Sequence, residues 1–451
     1  MRRFLTIALG ALLLVSLATA QSAPPVTPPA KVSPEEFNKA ADEVLAEISD
    51  LIQLPVKSPL KKSIRTREEI RAYVIKRIQE EKEPHKWDAD QKVLTKLGLL
   101  PRGFNLEEFL VALLTEQIAG LYDPRGKEFY IADWIEPGEQ RMVMSHELVH
   151  ALHDQNLGVE EWMEAAKPND DAQLARNAVL EGAAMAAMMD YMFRDQKISV
   201  RNMPPLGEMV RSLMLGDLAQ SPELARAPLF VREMLLFPYI SGTTFAQEVL
   251  KSVPDWKGFN KVFANPPAST QQIYHPDLYL AGVAPRPVSL PDMGKLLSPD
   301  WKELDQNTLG EFGLRAVLRQ FIGNDRAVEL GSLWAGDRYA MFENPAAKRQ
   351  LLVMLMRLEN EAAAARVFGG LSESLELKYQ QRTNLLRRPN FFSFTSEEGG
   401  VYLRCFGDWC LTVEGASRDV FDRILRALKW PPAPAVPPKT GKADIAAVAA
   451  Y

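Results

Sequence analysis

Three of the five histidines in this chain, His146, His150 and His153, crowd into one short segment together with Glu147. Within it, His146-Glu147-Leu148-Val149-His150 has a spacing that suits metal chemistry. On an α-helix, residues four apart lie about 40° apart around the axis and one turn along it. The two imidazoles therefore converge on one ion as neutral nitrogen ligands, a donor type suited to Zn²⁺. Glu147 falls at the rim of that face, where a carboxylate can take a proton from zinc-bound water without displacing a histidine. Met142, Val143, Leu148, Val149, Ala151 and Leu152 make the segment largely apolar, so the helix is predicted to be buried. Buried imidazoles need a partner or a metal.

Two histidines leave a third ligand to find. His153 shares their face, but three side chains from one straight helix rarely close a tetrahedral site, because the third sits roughly 10 Å from the first. No Gly or Pro follows to break the helix before Gly158, so His153 is expected beside the ligands or at the surface. Glu181 is the better ligand. It is the acidic residue of a small-residue stretch on the next long helix, where Gly182, Ala183, Ala184, Ala186 and Ala187 let two helices approach closely. Asn177, one turn before it, can orient the carboxylate or a ligand histidine. Outside this region His275, in a loop with Tyr274 and Tyr279, is the first candidate to stabilise an oxyanion. A histidine bonded into its own loop fits equally well. Arg338, beside Asp337, reads either as an anchor for a substrate carboxylate or as half of a structural Asp–Arg pair.

The elements that must position these residues are mostly helices. Ser33-Pro34-Glu35-Glu36 is an N-cap with Pro at the first helical position. Helices are predicted near 67–83, 88–98 and 105–119, then a turn-rich break over 120–126, a strand over Lys127–Trp134, and the His146 helix opening at Pro137. Residues 168–250 read as helical with breaks at Pro204-Pro205, Ser221-Pro222 and Phe237-Pro238, and 254–305 as ordered loop. Helix resumes over 309–322. Beyond 350 the order reads βαβββα, a small module closed by a helix over 417–428. The expected fold class is α+β and mostly helical. A catalytic domain over 33–305 precedes a C-terminal helix and α+β module over 306–430.

The ends and the composition bound the setting. Arg2 and Arg3, an apolar run from Phe4 to Leu17 and Ala18-Thr19-Ala20 read as a signal peptide over 1–20, followed by a flexible leader over 21–32. That apolar run is shorter than a membrane span, and no later one is long enough. The protein is therefore expected to be exported, periplasmic or extracellular, with residues 431–451 a disordered tail. A net charge of −5 excludes a nucleic-acid surface. Cys405 and Cys410, with Phe-Gly-Asp-Trp between them, read as a disulfide stapling a turn.

HELVH followed by a downstream helical glutamate resembles the gluzincin clan of zinc metallopeptidases. The longer string HELVHALHDQ…VLEGAA is similar to a family of exported bacterial and archaeal metallopeptidase-like proteins, as are EQIAGLYDP (116–124), PPAST-QQIYHPDLY (266–279), LGEFG (309–313) and AGDRY (335–339). The resemblance covers roughly residues 105–430. It implies a zincin-like catalytic domain, His146, His150 and Glu181 as zinc ligands, Glu147 as general base and acid, and a peptide or protein substrate. It also implies glutamine in relatives where this chain has His153. The strand over Lys127–Trp134 sits where zincins place the edge strand of the cleft, although a plain core strand reads as well. Two alternatives stand beside peptide hydrolysis: a zinc-containing envelope binding or structural protein with little turnover, and zinc hydrolysis of a non-peptide amide.

Overall fold

A computed structural model describes residues 33–80, 84–218 and 221–433. The expected signal peptide and leader, and all of the expected tail beyond 433, lie outside the described residues.

Helix α1 (Pro34–Ile52) starts as its sequence dictates: Ser33 Oγ accepts from the Glu36 amide at 3.2 Å while Glu36 Oε2 accepts from the Ser33 amide at 3.0 Å. Its apolar stripe of Phe37, Ala41, Val44, Ile48 and Ile52 is buried, and Phe37 stacks on Phe129. Strand β1 (Lys61–Arg65) and helices α2 (Arg67–Glu80), α3 (Pro84–Leu97) and α4 (Leu106–Gln117) follow. Strands β2 (Gly120–Asp123) and β3 (Glu128–Ala132) complete a three-stranded sheet of order β1-β3-β2, in which β3 runs parallel to β1 and antiparallel to β2. Of the two readings of Lys127–Trp134, the edge strand of a cleft and a plain core strand, the second fits, since β3 is the central strand. The edge is β2, built from residues read as a turn; its Gly and Asp-Pro resemble turn chemistry, but all four of its residues are buried.

A run of helices comes next: α5 (Pro137–Leu157), α6 (Val159–Glu164), α7 (Asp170–Met192), α8 (Leu206–Leu218), α9 (Pro222–Ala225) and α10 (Leu229–Ser252). Helix α5 carries Pro137 in its first turn and ends at Gly158 with φ 62. Helix α10 continues through Pro238, where a break was expected. Proline removes one N–H there, but Phe237, Pro238 and Tyr239 are all buried, and that packing offsets the lost bond.

Residues 254–301, expected as loop, contain short helices α11 (Trp256–Phe259), α12 (Thr270–Tyr274), α13 (Pro276–Leu280) and α14 (Met293–Leu296). The C-terminal part is β4 (Lys302–Asn307), α15 (Gly310–Ile322), α16 (Asn324–Gly331), β5 (Trp334–Asn344), β6 (Arg349–Leu358), α17 (Glu361–Lys378), β7 (Thr383–Arg388), β8 (Phe391–Ser396), β9 (Gly399–Phe406), β10 (Trp409–Ala416) and α18 (Arg418–Ala427). Its strands form one antiparallel sheet of seven, in the order β4-β5-β6-β10-β9-β8-β7. The βαβββα expectation thus missed β4, β5 and β7. Both edges, β4 and β7, are polar and mostly exposed or half-exposed, and β5 opens on a register shift between Trp334 and Gly336. Central β6 shows why its run reads as continuously apolar: Leu352, Met354 and Met356 face the main core, while Leu351, Val353 and Leu355 face a second core with Phe421 and Ile424 of α18. That main core extends from α1 to the sheet, and the seam expected between 305 and 306 falls inside β4. The chain is α+β and mostly helical, as its sequence implies.

Cys405 and Cys410 face each other across the β9–β10 hairpin and are joined by a disulfide. No helix among the described residues is long and apolar enough to cross a membrane.

Candidate metal centre

Helix α5 delivers His146 and His150 from consecutive turns, and α7 delivers Glu181 against them. His146 Nε2 lies 3.2 Å from Glu181 Oε2, His150 Nε2 lies 3.4 Å from the same oxygen, and the two Nε2 atoms are 3.2 Å apart. These three residues form a group of donor atoms that lie within 4.8 Å of one another, enough to hold a metal ion. His146 is 1% exposed, Glu181 0% and His150 9%, so the cluster is open only on the His150 side.

The donor set itself fits a cation. Burial pushes the Glu181 carboxyl up, but the His150 charge and hydrogen bonds from both imidazoles overcome this and leave it at about 2. An ionised carboxylate thus meets two imidazole nitrogens that face each other with little between them to share. Burial lowers His146. His150 also loses solvation, but the Glu181 charge raises it above its ordinary value. Glu181 Oε1 and His146 Nδ1 are buried without hydrogen-bond partners among the described residues. Two nitrogens and one carboxylate oxygen, with one side open, suit a tetrahedral zinc site with a free position.

Glu147 points to the adjacent strand. Its Oε2 accepts the Tyr122 backbone N–H at 2.9 Å, and its Cγ lies near Gly120 of β2. Burial pushes its pKa up to about 8, with the Glu181 charge adding to the rise and His150 opposing it. A carboxylate near the working pH can both accept and return a proton. A cleft lined by Tyr122, His150, Asp154, Val74, Met163 and Leu180 adjoins the open side.

Of the small residues expected to let two helices approach, Gly182 meets α10 rather than α5. A Cβ on Gly182 would sit under 3.0 Å from the Gly242 backbone, and one on Gly242 under 3.0 Å from the Ala178 carbonyl. These glycines join α7 to α10, which carries Tyr239, and its ring stacks on His146 with centroids 6.2 Å apart.

The other expected residues are not among the converging donors. His275 Nε2 is 3.0 Å from Glu311 Oε1, on which Arg315 also sits, so its ring is tied to the first turn of α15. Tyr274 packs under the Arg315 guanidinium, and the Tyr279 hydroxyl donates to the Asn265 carbonyl. Asn177 is buried, but its Oδ1 has no partner and so receives no ligand N–H. Asp337 accepts the Leu309 and Gly310 amides and the Trp334 indole N–H, each at 2.8 Å, capping α15, while Arg338 reaches the Gln306 carbonyl. Neither touches the centre. Sequence reasoning missed Tyr122 and Asp154; Asp154 follows His150 by the same four-residue step that separates the histidines, a signal that was present.

His153 is fully buried rather than superficial, packed on Phe263 with ring centroids 4.6 Å apart. Neither ring nitrogen has a partner among the described residues, and burial pushes its pKa down to about 3. A depressed histidine pKa means the folded state binds fewer protons than the unfolded one below about 6.5. Its contribution is therefore complete above pH 6.5 and is lost as pH falls toward 3. In metal-free protein, His153→Leu should match wild type at pH 7 within about 1 kcal/mol and gain on it at acid pH by up to about 1.4 kcal/mol per unit. Denaturant unfolding at pH 7, 6, 5 and 4 checks this, and parallel stability curves would contradict it.

Among protein families, residues 297–425 match a domain of unknown function (DUF8575), which covers the seven-stranded sheet and its helices but none of His146, Glu147, His150 or Glu181. No curated protein and no solved structure matches the chain.

Proposed function

We propose that this protein is an exported zinc-dependent peptidase of gluzincin type, with His146, His150 and Glu181 as the metal ligands and Glu147 as general base and acid. The observation that carries the reading is the convergence of those three donors beside a buried carboxylate that is held by a main-chain N–H but left out of the donor set. A zinc ion held there would supply Lewis-acid polarisation of a carbonyl and acidify water.

The chain's own residues supply the rest. Glu147 accepts the proton that water gives up as it attacks the scissile carbon, then passes it to the leaving amine. Burial favours the neutral carboxyl that forms between these two transfers. The Tyr122 amide fixes the carboxylate, and the apolar wall of the adjoining cleft excludes water around a bound chain. A site built only to bind or brace has no use for a proton acceptor at this position. Export rests on the apolar segment that follows Arg2 and Arg3.

The test pairs metal analysis with a mass-spectrometric digest of a peptide library. One zinc per chain is expected, together with cleavage that a chelator abolishes and added zinc restores. Protein lacking stoichiometric zinc, or cleavage that survives chelation, rules the reading out.

A further inference from the structure

The general base is held by a backbone amide on a strand that is itself an edge. Just before β2 the Ala119 carbonyl accepts the Ala132 amide, which sets the ladder so that Tyr122, opposite Phe129, turns its N–H outward from the sheet. That outward N–H is the one Glu147 accepts. A four-residue edge strand paired on one side frays readily, so something must hold Tyr122 in place.

The holding contact lies two turns farther along α5. The Tyr122 hydroxyl donates to Asp154 Oδ2 at 2.5 Å, and Lys127 Nζ approaches the same oxygen at 2.7 Å. The Asp154 side chain is 2% exposed and its other oxygen has no partner. Strand β2 is thereby pinned to α5 at two points: its amide at Glu147 and its side chain at Asp154. These points are about 10 Å apart along the helix axis. Tyr122 and Asp154 also line the cleft beside His150, so the pin stands where substrate would pass.

We propose that Tyr122 and Asp154 are positioning residues, which orient the Glu147 carboxylate by fixing the edge strand whose amide holds it, with Lys127 neutralising Asp154. This rests on the peptidase reading for its catalytic consequence, but the mechanical part stands on the contacts alone. The charge on Asp154 makes both hydrogen bonds stronger than neutral ones, which suits a clamp.

The test compares wild type with Tyr122→Phe, Asp154→Ala and the double variant, each loaded with zinc. In each single variant kcat should fall by about tenfold to a hundredfold, with KM within about twofold and zinc content unchanged. The double should be no worse than the poorer single, because the two act as one unit. A second readout needs neither metal nor turnover. In metal-free protein, amide hydrogen exchange over residues 119–126 should be slow in wild type and at least about tenfold faster in both single variants. Unchanged exchange and unchanged kcat overturn the inference, as does a loss of kcat that only tracks lost zinc or a lowered melting temperature. A zinc-loaded wild type that cleaves nothing removes the peptidase reading and the catalytic role with it. Exchange then decides the pinning of β2 separately.

Discussion

Glu147→Gln is expected to keep one zinc per chain and to lose peptide cleavage by a factor of about 10² to 10⁴. The two halves of that expectation have separate causes. Zinc content holds because Glu147 is not among the converging donors, which are His146, His150 and Glu181. The fold holds because glutamine is nearly the same size, and its carbonyl oxygen can still accept the Tyr122 amide at the place where Glu147 Oε2 does now. What disappears is proton transfer, since a neutral amide neither takes a proton from water nor returns one to an amine. In wild type, burial sets the carboxyl near 8, so both forms are accessible around neutral pH. Kinetics on any peptide that the wild type cleaves, together with elemental analysis of the same samples, checks both halves. Wild-type turnover in Glu147→Gln would assign proton transfer elsewhere, and loss of zinc would make Glu147 part of the metal site.

The same geometry explains what could be read from the sequence. The converging donor set was legible because helical periodicity is local: a four-residue step guarantees that His146 and His150 share a face, and an acid among apolar neighbours, Glu181, has few reasons to be there. The Cys405–Cys410 hairpin was legible for the same local reason. What failed needed tertiary knowledge. Gly120–Asp123 reads as a turn until β3 is placed beside it, and β3 reads as edge or core alike until β1 is seen to run parallel on its far side. The polar edges β4 and β7 lack the apolar alternation that reveals β6. The bond from His275 to Glu311, 36 residues on, likewise needed tertiary placement to be seen.

The region matching the domain of unknown function joins the centre through buried polar contacts. Thr270 donates through its amide and hydroxyl to Asp171 in the first turn of α7, the helix that carries Glu181. Its hydroxyl also accepts the Phe312 amide of α15, whose N-terminus Asp337 of β5 caps. The strings around 266–279, 309–313 and 335–339 meet at these bonds, which tie the sheet and α15 to the first turn of α7.

The close contact between α7 and α10 makes Gly182→Ala the substitution with the largest expected effect on the centre among residues that do not touch it. An alanine Cβ there would overlap the carbonyl, carbon and Cα of Gly242, all under 3.0 Å. Backbone atoms cannot swing aside as a side-chain tip can, so α7 and α10 must separate. Overpacking of this kind costs about 1–3 kcal/mol. The separation also moves Glu181, the preceding residue, and Tyr239, which stacks on His146 one turn before Gly242 on α10. Zinc affinity is therefore expected to fall by at least about tenfold, as it does when groups that orient a ligand are disturbed. Ala183→Gly, one residue along and also buried, removes atoms instead of adding them and leaves the helix contact in place. It should lower stability by up to about 1 kcal/mol with zinc affinity unchanged. Thermal unfolding of the metal-free proteins and competitive zinc titration against a chromogenic chelator separate the two outcomes. If Gly182→Ala binds zinc as tightly as wild type, Glu181 does not depend on the close contact between α7 and α10.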